Sequence, residues 1–395
     1  MRRKIIRCLF LGLMLAVFVL VFTDSTVWTQ ENVIITRPIN SKAFQKLVDS
    51  VAPHTTIKCI GGSYECYKGK PEKHKTFPIR ITKPLRIVAA DENNPPIFIG
   101  TFDPDYTPWK GGNNCFMVYN LISNIKGLEF VGLHFQGFRR ALAFSPSYDP
   151  DNPPVPVWAG VLSGLRIVRC QFSDCFEGIL VYDGQIKNFE ISDNFFIDAL
   201  FHGIVVFGGV DTSFEPPVNI GRPKKGTITG NTIQSARFGI DVSGSEMVTI
   251  HDNIVDSWGV GIWFCGDYYG IPLPDDSPIR IGSVSRNNVQ ANDGFGIICY
   301  GLTTMHKSLV QNNFVSNSFV GITLEMGANN FNIVDNEFVS SVWSDIWLGG
   351  ENDDLTGPPD SHDNTVIATA TDFVTTVTDY GINNTLVGNY ILYSW

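Results

Sequence analysis

One motif recurs down the chain: an Asn or a turn residue, an apolar residue, and then Gly-Ile or an equivalent pair eight or nine positions later. The copies read "CQFSDCFEGILVY" (170–182), "NFFIDALFHGIVVF" (194–207), "NTIQSARFGIDVS" (231–243), "NIVDSWGVGIWFC" (253–265), "NVQANDGFGIICY" (288–300), "NFVSNSFVGITLE" (313–325) and "NEFVSSVWSDIWLG" (336–349). A short alternating stretch such as "GTITG", "MVTIHD" or "FNIVD" precedes each one. Most intervals are 22 to 25 residues, and two are stretched by insertions. Two or three short strands in every ~23 residues, turning on Asn and Gly and stacking at ~4.8 Å per rung, build a parallel solenoid rather than a sandwich. With 37 glycines and few amphipathic stretches of helical length, the 395 residues read as one long all-β unit.

The two-residue period of a strand divides the Gly-Ile segments into inward and outward rows. Ile179, Ile204, Ile240, Ile262, Ile297, Ile322 and Ile346 are expected to form one aliphatic row of the core. Val181, Val206, Val242, Phe264, Cys299, Leu324 and Leu348 are expected to form the next. Asn suits the corners, because it tolerates the left-handed backbone region and its side chain can hydrogen-bond along the stack. An open solenoid exposes strand edges at its ends, and "SKAFQKLVDSVAP" supplies a cover. It is expected to form a capping helix over 41–55, with Phe44, Leu47, Val48 and Val51 on one face behind a Ser41 cap. The β-helix itself is expected over 56–390, opening with "TTIKCIGGSYE" and "FPIRITKPLRIVA".

This combination of a capping helix, a "T-I-x-hydrophobic-x-x-G-x-Y" first turn and repeated Asn…Gly-Ile coils resembles the right-handed parallel β-helix proteins of the pectin lyase-like superfamily. The resemblance covers about residues 41–390. It implies a single-stranded right-handed parallel β-helix with an N-terminal capping helix. It leaves the activity open, since that superfamily includes lyases, glycosidases, esterases, epimerases, tailspikes and non-catalytic modules. The polygalacturonase group carries N-x-D, D-D, G-H-G and R-x-K. Here "FHG" (201–203) matches only part of the third, "IRIG" (279–282) lacks the lysine, and "PDDS" (274–277) falls on a loop.

Parity also fixes the outward rows. The first is Leu180, Val205, Asp241, Trp263, Ile298, Thr323 and Trp347; the second is Tyr182, Phe207, Ser243, Cys265, Tyr300, Glu325 and Gly349. Rings on an outward strand face commonly stack on a ligand. Long Pro-rich insertions leave the chain just after these strands: "SPSYDPDNPPVPVW", "GGVDTSFEPPVNIGRPKK", "GDYYGIPLPDDSPIR" and "GENDDLTGPPDSH". Loops of this length in a compact fold tend to serve function. They are expected to wall a cleft whose floor includes Tyr182, Phe207, Trp263, Tyr300, Glu325 and Trp347 as polysaccharide-binding residues. The rival expectation is that the loops fold down and bury Trp263 in a satellite core.

Neighbouring rungs bring His202, Arg237, Asp241 and Asp267 within mutual reach, and these are the candidate catalytic residues. Asp241 and Asp267 suit the paired carboxyl groups of an inverting glycosidase. Arg237 and His202 instead suit a lyase or epimerase, which needs a cation for a uronate and a base for a sugar proton. In that case Asp241 would bind calcium or orient a partner. The plainer readings are a His202–Glu177 bond and a surface Asp241–Arg237 ion pair. A non-catalytic glycan-binding or scaffolding module of the cell surface or periplasm is the alternative to an enzyme. Histidines scattered without ligand spacing disfavour a metal-handling role like that of periplasmic copper-accessory β-helices. Acids at Asp149 and Asp151 with Asn152, and at Asp353 and Asp354 with Asn352, offer oxygen ligands for Ca²⁺, but they lack EF-hand spacing and read more simply as solvated loop residues.

The first 25 residues pair a basic start (Arg2, Arg3, Lys4, Arg7) with an apolar run from Cys8 to Phe22. This is the layout of a secretory signal, and it places the protein in the secreted, periplasmic or cell-surface space. The absence of an A-x-A site leaves a retained membrane tether as the alternative to cleavage. The net charge is −10, or −14 without those four cations, and disfavours nucleic acid. Seven cysteines follow Cys8 with no C-x-x-C pair. They read as small buried hydrophobes with at most a bridge such as Cys59 to Cys66.

Overall fold

The computed structural model describes residues 31–67, 78–102, 114–119, 121–145, 160–211, 218–266, 282–301, 308–325, 327–349, 361–369 and 374–393. The strands assemble into a 13-stranded sheet and a 20-stranded sheet. Every pairing in both is parallel and joins successive turns of the chain, so the architecture is a parallel β-helix. The expected core rows are present in register. Ile179, Ile204, Ile240, Ile262, Ile297, Ile322 and Ile346 pair in sequence along the axis, and all are buried in one continuous core. Cys299 lies inside that core, between Phe264 and Leu324.

The Gly of each Gly-Ile pair has a steric cause. A Cβ on Gly239 would lie 2.5 Å from the carbonyl oxygen of Gly261, one on Gly261 2.6 Å from that of Gly296, and one on Gly296 2.4 Å from that of Gly321. Each would also meet a core Val methyl, on Val255, Val289 and Val315 respectively. The rungs approach so closely along this column that no side chain fits.

The corners divide the labour that the sequence assigned to Asn alone. The left-handed residue is the one before each ladder Asn: Asp193, Gly230, Asp252, Arg286, Asn312 and Asp335 all have positive φ. The Asn that follows spends its side chain on the stack. Asn194 donates Nδ2–H to Asn231 Oδ1, Asn231 to Asn253, Asn253 to Asn287, Asn287 to Asn313 and Asn313 to Asn336, each at 2.9 Å. Each Oδ1 also accepts from the backbone N–H of the ladder residue one rung earlier, and the Nδ2 groups cap carbonyls of the larger turn. The buried polar atoms of that corner are thereby satisfied.

At the N-terminal end the helix spans Ser41–Ser50, shorter than the 41–55 expected, and Pro53 follows its end. Its N-cap is Asn40 rather than Ser41: the Asn40 Oδ1 accepts from Ala43 N–H at 3.0 Å. Phe44 and Val48 are buried, and the Phe44 ring packs edge-on against Tyr64, Phe98 and Phe116. The solenoid also begins earlier than residue 56. Asn32–Ile35 precedes the helix in sequence and pairs in parallel with Thr56–Cys59. At the far end strands continue to Tyr393. The Cys59–Cys66 bridge is not formed. Cys66 lies with its sulfur 3.6 Å from that of Cys115, and all seven described cysteines are buried free thiols. Six of them are small fillers of the core, while Cys265, on the outward parity, is buried outside it.

Candidate active site

Four consecutive rungs of the Gly-Ile sheet place polar side chains side by side on its outward face. Arg140 pairs with Glu177 and Glu177 with His202 in the strand register, while Asp241 sits diagonally across the next strand. Arg140 Nε donates to Glu177 Oε2 at 2.7 Å. His202 Nδ1 lies 3.7 Å from Glu177 Oε1, and its Nε2 lies 3.6 Å from Asp241 Oδ2. Ser243 completes the chain by donating its hydroxyl to Asp241 Oδ1 at 2.6 Å. Glu177, His202 and Asp241 are each at most 9% exposed, although all lie outside the solenoid core.

Burial pulls the two acids one way and their neighbours pull them apart. Desolvation raises Glu177, but Arg140 and His202 outweigh it and bring the carboxyl down to about 2. Among the described residues no guanidinium pairs with Asp241. Burial raises it, and although His202 and the Ser243 hydroxyl pull it back, it stays above the ordinary aspartate value, with the Glu177 charge adding to the rise. One acid is therefore held as an anion and the other is drawn toward its protonated form, with an imidazole between them. Pairs driven apart in this way mark acid and base roles.

Two aromatic rings pack against the imidazole and against each other. The Phe201 ring lies edge-on with its centroid 4.3 Å from that of His202, Phe238 stacks on the imidazole at 5.0 Å, and the two phenyl rings are 5.2 Å apart. From Phe238 the rings continue to Trp263 at 5.6 Å and to Tyr300 at 5.2 Å. Trp263 is half-buried, so it is neither a bare outward platform nor a closed satellite core. Tyr300 pairs in register with Glu325, which burial raises above its usual value against the pull of the Tyr300 hydroxyl. Trp347 stacks at 5.7 Å on the exposed Trp343.

The remaining candidates are placed differently. Arg237 makes no ion pair with Asp241. It is exposed at the corner, its guanidinium over the rings of Phe201, Phe238 and Trp258 at 5.3, 5.4 and 5.7 Å. Tyr182 and Phe207 stack on each other at 5.4 Å, but Tyr182 is buried with Leu180, Val205 and Ile220. Ile220 comes from the insertion after Phe207, whose ends form a short antiparallel hairpin, Gly209–Asp211 with Val218–Gly221. That insertion covers this end of the face. Asp267, the loop acids proposed for Ca²⁺, and most of the other long insertions lie outside the described residues. Among the described residues no cluster of three or more His, Cys, Asp or Glu side chains is arranged to hold a metal ion. No described helix is long and apolar enough to cross a membrane.

Sequence reasoning missed Arg140 and Ser243 as members of the site and treated Glu177 only as a plain partner of His202. The coil holding Arg140, "GFRRALAFS" (137–145), has Ala141-Leu142 where most repeats carry Gly-Ile and has no leading Asn, so neither marker of the repeat flags it. Its parity with Glu177 is the signal that exposes it.

The family model for a right handed beta helix region matches residues 211–338. Among solved structures, the chain is similar to the catalytic domain of a GH87 alpha-1,3-glucanase in complex with nigerose, with TM-score 0.54 and 11% identity over 93% of this chain and 69% of that one. It is also similar to the A-module of mannuronan C-5 epimerase AlgE6 from Azotobacter vinelandii, with TM-score 0.52 and 13% identity over 90% and 96%. A third likeness is to a DFA-IIIase from Arthrobacter chlorophenolicus A6 in complex with GF2, with TM-score 0.50 and 13% identity over 88% and 94%. No curated protein matches by sequence. At these identities the likeness establishes the fold alone, a right-handed parallel β-helix.

Proposed function

We propose that this protein is an exported polysaccharide-cleaving enzyme whose proton chemistry is carried by Asp241 and His202, with Glu177 and Arg140 fixing the imidazole. One observation carries the reading: a buried chain of Arg140, Glu177, His202, Asp241 and Ser243 laid across four successive rungs on an outward face. Buried ionisable groups outside a core are costly and serve no packing need, which points to chemistry. Asp241, raised by burial, suits a general acid toward a glycosidic oxygen. Water adds to the anomeric carbon as the glycosidic C–O bond breaks; His202 takes the proton that the water loses and returns it to Asp241, and the Glu177 anion stabilises the imidazolium as it forms. The rings of Phe238, Trp263 and Tyr300 offer stacking surface for a sugar beside the acid. The glucanase, epimerase and DFA-IIIase of the same fold are named for carbohydrate substrates, which supports the substrate class. The basic and apolar N-terminus supports export, with cleavage or a retained tether as the two outcomes.

The cation in this cluster, Arg140, is already committed to Glu177, which favours glycosidic hydrolysis over elimination from a uronate. Incubation with a panel of neutral and uronate polysaccharides, read by new reducing ends and by the ultraviolet absorbance of unsaturated uronates, tests this. Reducing ends without that absorbance are expected. Silence on every glycan, with retention on one of them, would instead establish the non-catalytic binding module.

A further inference from the structure

Among the described residues two cysteine sulfurs meet at one place. Cys66 follows the strand Gly62–Glu65, and Cys115, 49 residues further on, lies in the strand Asn114–Tyr119. Their sulfurs are 3.6 Å apart and both residues are fully buried in the core. They belong to successive coils. Gly62–Glu65 pairs in parallel with Pro96–Ile99, which precedes Asn114–Tyr119 in the next coil, and the Cys66 N–H donates to the Ile99 carbonyl at 2.9 Å. Cys115 falls in the column of the Gly-Ile glycines, in register with Ala141, Gly178 and Gly203. Further along the axis that column has no room for a side chain, yet here it holds a thiol against a second thiol. Cys175, whose charge also bears on Cys115, turns its own thiol to the Ser173 carbonyl at 3.3 Å, and Cys170 turns to that of Val168 at 3.6 Å. A disulfide needs its sulfurs at ~2.05 Å, and two side chains already in van der Waals contact need only small side-chain rotations to reach it.

We propose that Cys66 and Cys115 are a disulfide site, which closes when the chain folds in the presence of a small-molecule disulfide and staples two successive coils at the N-terminal end. The thiolate of one cysteine attacks the oxidant, oxidised glutathione for instance, and one glutathione thiolate leaves. The second cysteine, deprotonated in turn, displaces the other glutathione from the mixed disulfide. The pair gives up two protons and two electrons, and the oxidant is reduced to two thiols. Burial and the adjoining Cys66 push the Cys115 thiol well above its usual value, so the folded pair forms a thiolate slowly and the bond closes while this end of the solenoid is still open. Tyr64 and Phe116, close in sequence to the two cysteines, are the rings on which Phe44 of the capping helix packs. Tying residues 66 and 115 together restricts the unfolded chain and thereby stabilises this capped end. An exported location supplies such an oxidant, but the chemistry is independent of location and of the glycan reading, and it is tested on the isolated chain.

The test refolds the purified full chain, first unfolded and reduced, in a buffer of reduced and oxidised glutathione. The product is alkylated and digested without reduction for mass spectrometry. A linked peptide pair holding Cys66 and Cys115 is expected, with the other cysteines alkylated. The oxidised chain is expected to unfold at a higher urea concentration than the same chain kept reduced. Cys115→Ala is expected to lose both the linked peptide and that difference in midpoint, and alanine already stands at the next position of its column, Ala141. Cys66→Ala reads the same loss through the other partner should Cys115→Ala fold poorly. Cys170→Ala is expected to keep both. Alkylation or glutathione capping of Cys66 and Cys115, a bond from either to a different cysteine, or oxidised and reduced chains that unfold alike overturns the proposal.

Discussion

His202 Nε2 lies 3.6 Å from the carboxylate of Asp241, and the two side chains come from adjacent rungs of a sheet whose apolar face is turned away from both. The contact exists because the coils stack in register: a shift by one residue in either strand would send one partner into the core. The repeat thus builds the cluster as well as the solenoid.

The first consequence concerns acid stability. Glu177 is brought from its usual value near 4.5 to about 2 in the folded chain. A carboxyl depressed on folding contributes stability that is present above its unfolded value and is lost as the pH falls toward its folded value. The shift corresponds to about 3 kcal/mol, lost between roughly pH 4.5 and 2. Asp241, raised by burial, works in the opposite sense, since its contribution improves as it protonates. Urea denaturation across acidic pH is expected to show this falling limb in the wild type and a flatter one in Glu177→Gln. Identical slopes for the two proteins would remove the Arg140–Glu177 pairing from the account.

Arg140 is worth more as a partner than as a charge. Its side chain and that of Glu177 are each 12% exposed, so deleting one leaves a buried, uncompensated ion. Arg140→Met is expected to destabilise by about 3–5 kcal/mol, and the double variant Arg140→Met with Glu177→Gln to recover a large part of that loss. Denaturant midpoints of the two singles and the double check it. Simple additivity would contradict it.

The asparagine ladder makes a separate prediction. Asn253 accepts from Asn231 N–H and Nδ2, and donates to Asn287 Oδ1 and to the carbonyls of Ile228 and His251. Asn253→Ala strands several buried groups at once and is expected to lose at least about 2–3 kcal/mol of stability. The exposed strand variant Glu337→Ala is expected to change stability by less than about 0.5 kcal/mol. Thermal or urea unfolding compares them, and equal losses would count against a structural role for the ladder.

The same reasoning explains what the sequence made legible. The Gly-Ile pairs revealed the fold and the inward rows because a stacked coil permits one inward parity and one column too crowded for a side chain. Gly261→Ala, which would set a Cβ against Val289 Cγ1 and the Gly296 carbonyl, is expected to destabilise by about 1–3 kcal/mol or more, as unfolding measurements can show. Asp241 was found from the outward parity, and His202 from its place just before Gly203 on the neighbouring rung. Arg140 was not, because its coil has Ala-Leu in place of Gly-Ile and no leading Asn. Ile220 folding over Tyr182 was hidden as well: an insertion carries no period from which its resting place can be computed. Asn40 replaced Ser41 as the cap because both residue types serve that position and only backbone geometry separates them.

The proposed proton transfer from Asp241 is read in the kcat/KM of the wild type on its best polysaccharide, measured against pH beside Asp241→Asn. Wild-type activity is expected to fall as the pH rises through the elevated Asp241 value. The Asp241→Asn variant is expected to be folded, to bind the glycan still and to be slower by about 10²–10⁴. A variant that turns over at the wild-type rate with an unchanged pH profile would contradict it.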